Sequence, residues 1–442
     1  MKECDSKVMV SDDVRHLGKL LGSPDSDRII ALATSVVFED DSLPLKFWGI
    51  SSGKVDSGFQ GHMYAGPNDI LVVRVPGNDP EVPSMVRQAI DHGAEIWKSG
   101  AGIDLARGNS RIVLASDSEC PMSANMAENL SWHSGELLEA AAAQFQNGNG
   151  SFLAFVFNDR VANMLKCGGE LRDQAHTTSR LMDKNVAMGA IQQNNIACAR
   201  AYVVDDPKDL DSIFADIPST GRYVFKPAGG AAGIGVFDNN GRGAQLGQIR
   251  NHLAELDSNG RLPSSFQIQE FIKGIPFGIS ANIGPNGEFE IFEIHHQIMS
   301  GSGRFIGGNW TTQLQSQEMD FAVRIYRQLA DIDEPRFRGL ICLDIIDHKV
   351  IEVNPRLTAS APIAHLLRKE LEISHFIGGS YRIKRIDLNT DVNIPIGYVR
   401  DETLRRLIEN IWKERQVLVL PQGLSPFGPS RVVFVNDDEF GT

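Results

Sequence analysis

Short apolar runs of strand length recur through the first third of the chain, at residues 28–33, 69–75, 111–115 and 151–157. Between them, 83–97 and 123–146 carry apolar residues at helical spacing, so this block predicts a layered α/β unit. Helical spacing continues over 158–169 and 171–193. From about residue 199 the pattern changes to strands and hairpins. Strands are predicted at 200–204, 223–227, 266–272, 278–283 and 288–298, with helices at 246–256 and 318–329. Pro285-Asn286-Gly287 joins the last two strands as a turn. A hairpin follows over 340–354, and then a tail with a strand at 394–399, a helix at 402–414 and a strand at 431–435. No internal repeat or low-complexity tract appears.

Composition narrows the class of protein. At 442 residues, with 42% hydrophobic and 22% charged residues, the chain is long enough for two or three domains and ordinary for a globular protein. No apolar run approaches the ~18 residues of a membrane span, and the polar start Met1-Lys2-Glu3-Cys4-Asp5 lacks a secretory apolar region. Cys4, Cys120, Cys167, Cys198 and Cys342 form an odd set without a CxxC pair, which argues against a disulfide framework or a cysteine-rich zinc site. These features lead us to expect a cytoplasmic enzyme. A formal net charge of −13 would repel nucleic acid. Anionic ligands would have to be held by local donors.

Two segments carry the relevant chemistry, the first by supplying such donors and the second by supplying acids. Tyr223-Val224-Phe225-Lys226-Pro227 runs into a small-residue stretch, 228–236, that contains Gly229, Gly230, Gly233 and Gly235. Glycines let backbone N–H groups approach an anion closely. No Gly-Lys-Ser/Thr follows, and a strand and turn follow where a Rossmann motif would place a helix. Between antiparallel strands such a loop can close over phosphates, with Lys226 beneath them. Read alone, it is equally a solvated hairpin tip.

The second segment is the 340–354 hairpin. If Asp347-His348-Lys349 form its loop, Ile346 pairs with Val350 and Asp344 faces Glu352, with Asn354 on the same face. Ile341, Leu343, Ile345, Ile351 and Val353 then share the core face. Two carboxylates about 5 Å apart repel unless a cation or proton intervenes, and with an amide oxygen they suit Mg²⁺ better than zinc. Pro355-Arg356 adds a guanidinium beside them. The alternative is an ordinary solvent-facing strand.

Together, Asp183-Lys184, Phe225-Lys226-Pro227 with the glycines of 229–236, Gln269-Glu270-Phe271-Ile272, and Asp344 with Glu352-Val353-Asn354-Pro355-Arg356 resemble the ATP-grasp superfamily over residues ~183–356. The resemblance implies a mixed α+β / α/β fold. A Rossmann-like pre-ATP-grasp domain would span 1–165 and an ATP-grasp domain 166–375, with a small lid at about 195–272 and a larger sheet at about 273–375. A small C-terminal α/β unit would span 376–442. It also implies roles. Lys226 and Lys184 would bind nucleotide phosphates with the glycine loop, and Gln269, Glu270, Phe271 and Ile272 would form the adenine hinge. Asp344, Glu352 and Asn354 would hold Mg²⁺ (two ions, with Mn²⁺ as a substitute), and Arg356 and Lys226 would be catalytic. Pro276 occupies the relatives' ribose-binding glutamate position, so ribose recognition must come from elsewhere.

Within the superfamily, the long N-terminal region ending in Phe157-Asn158-Asp159-Arg160 and the C-terminal segment Pro421-Gln422-Gly423 are most similar to peptide ligases of the pheganomycin-ligase type. That resemblance implies an ATP-dependent carboxylate–amine ligase of natural-product biosynthesis acting through an acylphosphate. Its partners would be a small carboxylic acid and an amino acid or peptide amine, with no nucleic acid or membrane, and a homodimer is left open. Arg304, in a glycine-rich loop, could hold a substrate carboxylate, and Glu293 or His296 could take the amine proton. A kinase-like or carboxylase ATP-grasp chemistry and a non-catalytic nucleotide-binding module are the alternatives.

Overall fold

The computed structural model describes residues 157–159, 162, 167–229, 235–299, 305–310 and 312–356, together with the backbone of the strands outside those ranges. Near the N-terminus run β1 (Met9–Val10), β2 (Ile29–Ala33), β3 (Ile70–Pro76), β4 (Arg111–Asp117), β5 (Leu130–Trp132) and β6 (Ser151–Ala154). The last five form one sheet in the order β5-β4-β3-β2-β6, parallel except for β5. The apolar runs of the first block are thus its parallel strands. The helix expected at 83–97 lies outside the described residues. The one expected at 123–146 contains β5, whose Leu130-Ser131-Trp132 pairs antiparallel with the end of β4. Helical spacing over a long window concealed a three-residue strand inside it.

The predicted helical stretch 171–193 is two helices, α1 (Gly169–Leu181) and α2 (Lys184–Gln193). Asp183 breaks it, because its carboxylate accepts the Asn185 and Val186 backbone N–H groups (2.7 and 3.3 Å) and caps the second helix. A four-stranded antiparallel layer follows: β7 (Ala201–Val204), β8 (Arg222–Pro227), β9 (Ala244–Gln245) and β10 (Phe266–Glu270), in the order β7-β10-β8-β9. Tyr223, Phe225, Phe266 and Ile268 share one face. They pack against α3 (Leu210–Asp216) and α4 (Leu246–Ser258), burying Phe214, Ile249 and Leu253. The other face carries Lys226, Gln267 and Gln269.

The largest sheet holds β11 (Phe277–Ile283), β12 (Phe289–Met299), β13 (Phe305–Trp310), β14 (Gly339–Ile346), β15 (Lys349–Asn354), β16 (Tyr381–Ile386), β17 (Val417–Pro421) and β18 (Ser430–Val435). Their order is β15-β14-β11-β12-β13-β16-β18-β17, with β1 also paired to β12. Its apolar face packs on α5 (Thr312–Ala330), with Ile279, Ile341, Leu343, Phe321 and Ile325 in the core. The buried Tyr326 hydroxyl lies 2.9 and 2.7 Å from the Ile279 and Ile341 carbonyls and ties α5 to β11 and β14. Three differences from expectation appear. β13 occupies part of the stretch expected to be a glycine-rich loop, and β16 and β17 were not predicted. The three C-terminal strands continue this sheet. The strand and helix expected at 394–399 and 402–414 lie outside the described residues. Among the described residues, no helix is long and apolar enough to cross a membrane.

Candidate active site

The 340–354 hairpin differs from expectation in a way that matters chemically. Its loop has two residues, Asp347 and His348, both with positive φ (51° and 54°), as a type I′ turn requires. Ile346 therefore pairs with Lys349 and Ile345 with Val350. A bulge then restores Asp344 opposite Glu352. The extra residue is Ile351. It is only half-buried, and Val350 takes its expected place in the core. The bulge turns the Ile351 carbonyl toward the four-stranded layer, where Lys226 Nζ (2.9 Å) and Gln269 Nε2 (3.1 Å) both donate to it.

Residues from both layers meet here. Lys184 opens α2, and its backbone N–H donates to the Ala228 carbonyl (3.0 Å) at the base of the glycine segment. Its Nζ lies 3.7 Å from Glu352 Oε1, and Lys226 Nζ lies 4.0 Å from Glu352 Oε2. Both lysines are 6% exposed. Burial pulls the Lys226 pKa down, against the pull of Glu352. Burial would raise the Glu352 carboxyl, but Lys184, Lys226 and Arg356 hold it below its ordinary value. Asp344 goes the other way: burial and the facing Glu352 push it up to about 6. It accepts hydrogen bonds from the amides of Gln297 and Asn354 (3.1 Å from Asn354). Arg356 donates to Asn354 Oδ1 at 2.9 Å.

This donor set fits a hard cation. Asp344 and Glu352 face each other, with the Asn354 amide beside them. Among the described residues no three His, Cys, Asp or Glu side chains gather as a cage. Mg²⁺ does not need one, since it usually takes one or two carboxylates and completes its shell with water and phosphate oxygens.

The other expected residues divide by location. The backbone N–H of Glu270 donates to the Arg200 carbonyl and that of Phe271 to the Arg222 carbonyl, both at 2.8 Å. These bonds fix the strand end that continues into Ile272. Gly229 and Gly235 flank the glycine segment, whereas Gly230, Gly233 and Arg304 lie outside the described residues. Glu293 and His296, three positions apart on β12, cannot share a face. His296 stands opposite Phe277, a core residue, and burial lowers its pKa. His295 takes the position facing the site. Its ring lies over Gly278, where an added Cβ would meet it at 2.7 Å, and Gly278 is registered with Asp344. Glu293, on the same face, lies 3.4 Å from His295 Nδ1 and accepts from Ser280 Oγ at 3.1 Å. Sequence reasoning missed His295, Gln297 and the Ile351 carbonyl. The period-two series Glu293, His295, Gln297 was the available signal for the first two.

The glycine segment is closed at its base by reciprocal backbone bonds between Phe225 and Phe237 (2.9 and 3.0 Å). Phe237 stacks on His252 with ring centroids 4.3 Å apart. Burial lowers the His252 pKa. The unfolded chain takes up this proton near pH ~6.5, the folded chain only at lower pH. The unfolded state therefore binds more protons between those values, and stability falls as pH falls. The thermal midpoint should drop between pH 7 and pH 5, and His252→Phe should shrink that drop. An equal drop in the variant would assign it to other groups.

The chain was compared with known proteins. Residues 173–360 match the family model described as the ATP-grasp domain. This region has the ATP-grasp fold. The match spans both layers of the site, from α1 through Arg356. No curated protein matches the chain. Among solved structures it is similar to N5-carboxyaminoimidazole ribonucleotide synthetase from Thermus thermophilus (12% identity, 92% of this chain and 94% of that chain covered, TM-score 0.49). The ADP complex of N5-carboxyaminoimidazole synthetase from Staphylococcus aureus is similar at 10% identity, with 93% of each chain covered and a TM-score of 0.49. L-amino acid ligase from Bacillus licheniformis is similar at 11% identity, with 93% of each chain covered and a TM-score of 0.47. In the ATP-grasp domain, the four-stranded layer and the β11–β15 region of the large sheet face each other across Glu352.

Proposed function

We propose that this chain is an ATP-dependent carboxylate–amine ligase. It would phosphorylate a small carboxylic acid and join the resulting acylphosphate to the amine of an amino acid or peptide. The products would be ADP, phosphate and an amide. The supporting observation is the convergence of two buried lysines, Lys226 from the four-stranded layer and Lys184 from the start of α2, on Glu352 of the large sheet, beside Asp344, Asn354 and Arg356. Similarity to pheganomycin-type peptide ligases supports natural-product biosynthesis in the cytoplasm as the setting.

A carboxylate at neutral pH is a poor electrophile, so the chemistry consists largely of positioning and charge neutralisation. Lys184 and Lys226 would hold the nucleotide phosphates beneath the glycine segment. Asp344, Glu352 and Asn354 would hold Mg²⁺, two ions in this reading, which supplies charge neutralisation on the phosphate oxygens. Arg356 would leave Asn354 Oδ1 for the oxygens of the transferring phosphoryl group. Glu293, beside His295 on the same face, would take the amine proton. Closure of the glycine segment would keep water from the acylphosphate.

Product analysis tests this reading. With ATP, Mg²⁺ and a panel of amino acids and peptides, ADP and phosphate should appear together with an amide of the expected mass. AMP and pyrophosphate would refute the acylphosphate route, and a phosphorylated hydroxyl product would make the protein a kinase.

A further inference from the structure

Gln267 lies in the same layer as Lys226 but has no role in the arrangement above. It is fully buried, and among the described residues neither its amide nitrogen nor its amide oxygen has a hydrogen-bond partner. It stands directly opposite Lys226 in the β8–β10 ladder. Residues two apart on a strand share a face, so Gln267 lies on the face of Lys226 and Gln269. Both of those side chains reach the Ile351 carbonyl. The opposite face, with Phe266 and Ile268, belongs to the apolar core. Gln269 gives one of its two amide N–H donors to that carbonyl, whereas Gln267 uses neither of its own.

Burying a donor and an acceptor unpaired is costly, and such groups in a folded protein call for an explanation. A phosphate offers acceptors alone, so it could satisfy the Gln267 nitrogen but not its oxygen. The N6–H and N7 edge of adenine offers a donor beside an acceptor, the complement of a glutamine amide. Guanine presents two acceptors, O6 and N7, at the same edge and would oppose the amide oxygen. Glu270 is three residues along the strand, roughly 10 Å at ~3.3 Å per residue. A base held near Glu270–Ile272 with its five-membered ring turned down the strand would bring N7 toward Gln267.

We propose that Gln267 is an adenine-reading residue of this site: its amide oxygen accepts from the 6-amino group and its amide nitrogen donates to N7. The inference rests on the nucleotide reading above and deepens it by assigning base specificity to this chain's own residue. Neither amide atom touches solvent in the conformation described, so entry of the base must part the side chains over Gln267.

Calorimetric titration of the full chain with ADP, GDP and 7-deaza-ADP, each with Mg²⁺, tests it. The wild-type chain should bind ADP about tenfold or more tightly than either analogue, the range of one good bidentate base contact. Gln267→Leu should lose about tenfold for ADP and stay within about twofold for the other two, so that the preference disappears. Wild-type ADP affinity in a folded Gln267→Leu variant overturns the proposal, as does an equal loss for all three nucleotides. Should that variant fail to fold, the wild-type chain still decides: 7-deaza-ADP bound as tightly as ADP overturns it. A wild-type chain that binds none of the three nucleotides refutes the ATP-dependent reading itself, a failure distinct from loss of base preference.

Discussion

Glu352→Gln should bind metal-free ADP more tightly than the wild-type chain and lose most of the gain that Mg²⁺ brings. In the arrangement described, Glu352 is already neutralised by Lys184 at 3.7 Å and Lys226 at 4.0 Å. A nucleotide arriving alone must take both ammonium groups from the carboxylate. It would leave Glu352 bare and facing Asp344, in an environment that already pushes the Asp344 pKa up. If Mg²⁺ arrives with the nucleotide, as the proposed function has it, the charges would exchange partners: the phosphates would take the lysines and the acids would hold the cation. Each ligand then favours the other by the same factor, with typical coupling of about 1–3 kcal/mol, or ~5–150-fold. With glutamine at 352 the lysines no longer have a carboxylate charge there to give up. Metal-free ADP should then bind about tenfold more tightly, and the Mg²⁺ enhancement should shrink to about threefold or less. Titrations with and without EDTA measure both. Weaker metal-free binding with an undiminished Mg²⁺ effect would show that Glu352 does not exchange partners.

The same hairpin shows how far the sequence could be read and why reading stopped where it did. Alternation of apolar and polar residues put Asp344 opposite Glu352, and the two strands do pair them. The loop was one residue too long in that reading, and the bulge at Ile351 offset the error. Nothing in Ile351 as a residue announces a bulge: it is β-branched and apolar, like its core neighbours. Its contribution is a carbonyl that every residue possesses. The phase on β12 was lost differently. Two adjacent histidines offered a choice that only registration with Gly278 and Asp344 resolves. Gly307-Gly308 read as loop chemistry, yet both lie in β13, where pairing on both edges fixes the backbone. In β16, Tyr381-Arg382-Ile383-Lys384 alternates, but Arg385 breaks the period, so the strand pattern is too short to stand out among the charged residues. The glycine segment, conspicuous by composition, could be read as a hairpin but not as anchored through Phe225 and Phe237.

That anchor carries the largest expected stability effect. Phe225 is fully buried, with ring centroids 5.2 Å from Phe266 and 5.5 Å from His252, and its backbone pairs with Phe237 across the base of the glycine segment. Truncating a buried phenylalanine to alanine typically costs about 3–5 kcal/mol, a large part of the stability of an ordinary domain. Phe225→Ala should therefore destabilise the β7–β10 layer by about that much. Phe225→Leu keeps most of the apolar volume and should recover more than half of the loss. Hydrogen exchange reads the effect where it arises: protection of the Phe225 and Phe237 amides, and of β10, should fall together. Because Lys226 follows Phe225 directly, ADP affinity should weaken in the alanine variant even while the fold persists, since the lysine is held by the strand that has loosened. If exchange at Phe237 stayed at the wild-type rate in Phe225→Ala, the base of the glycine segment would not depend on this ring, and the link between the aromatic cluster and Lys226 would be lost.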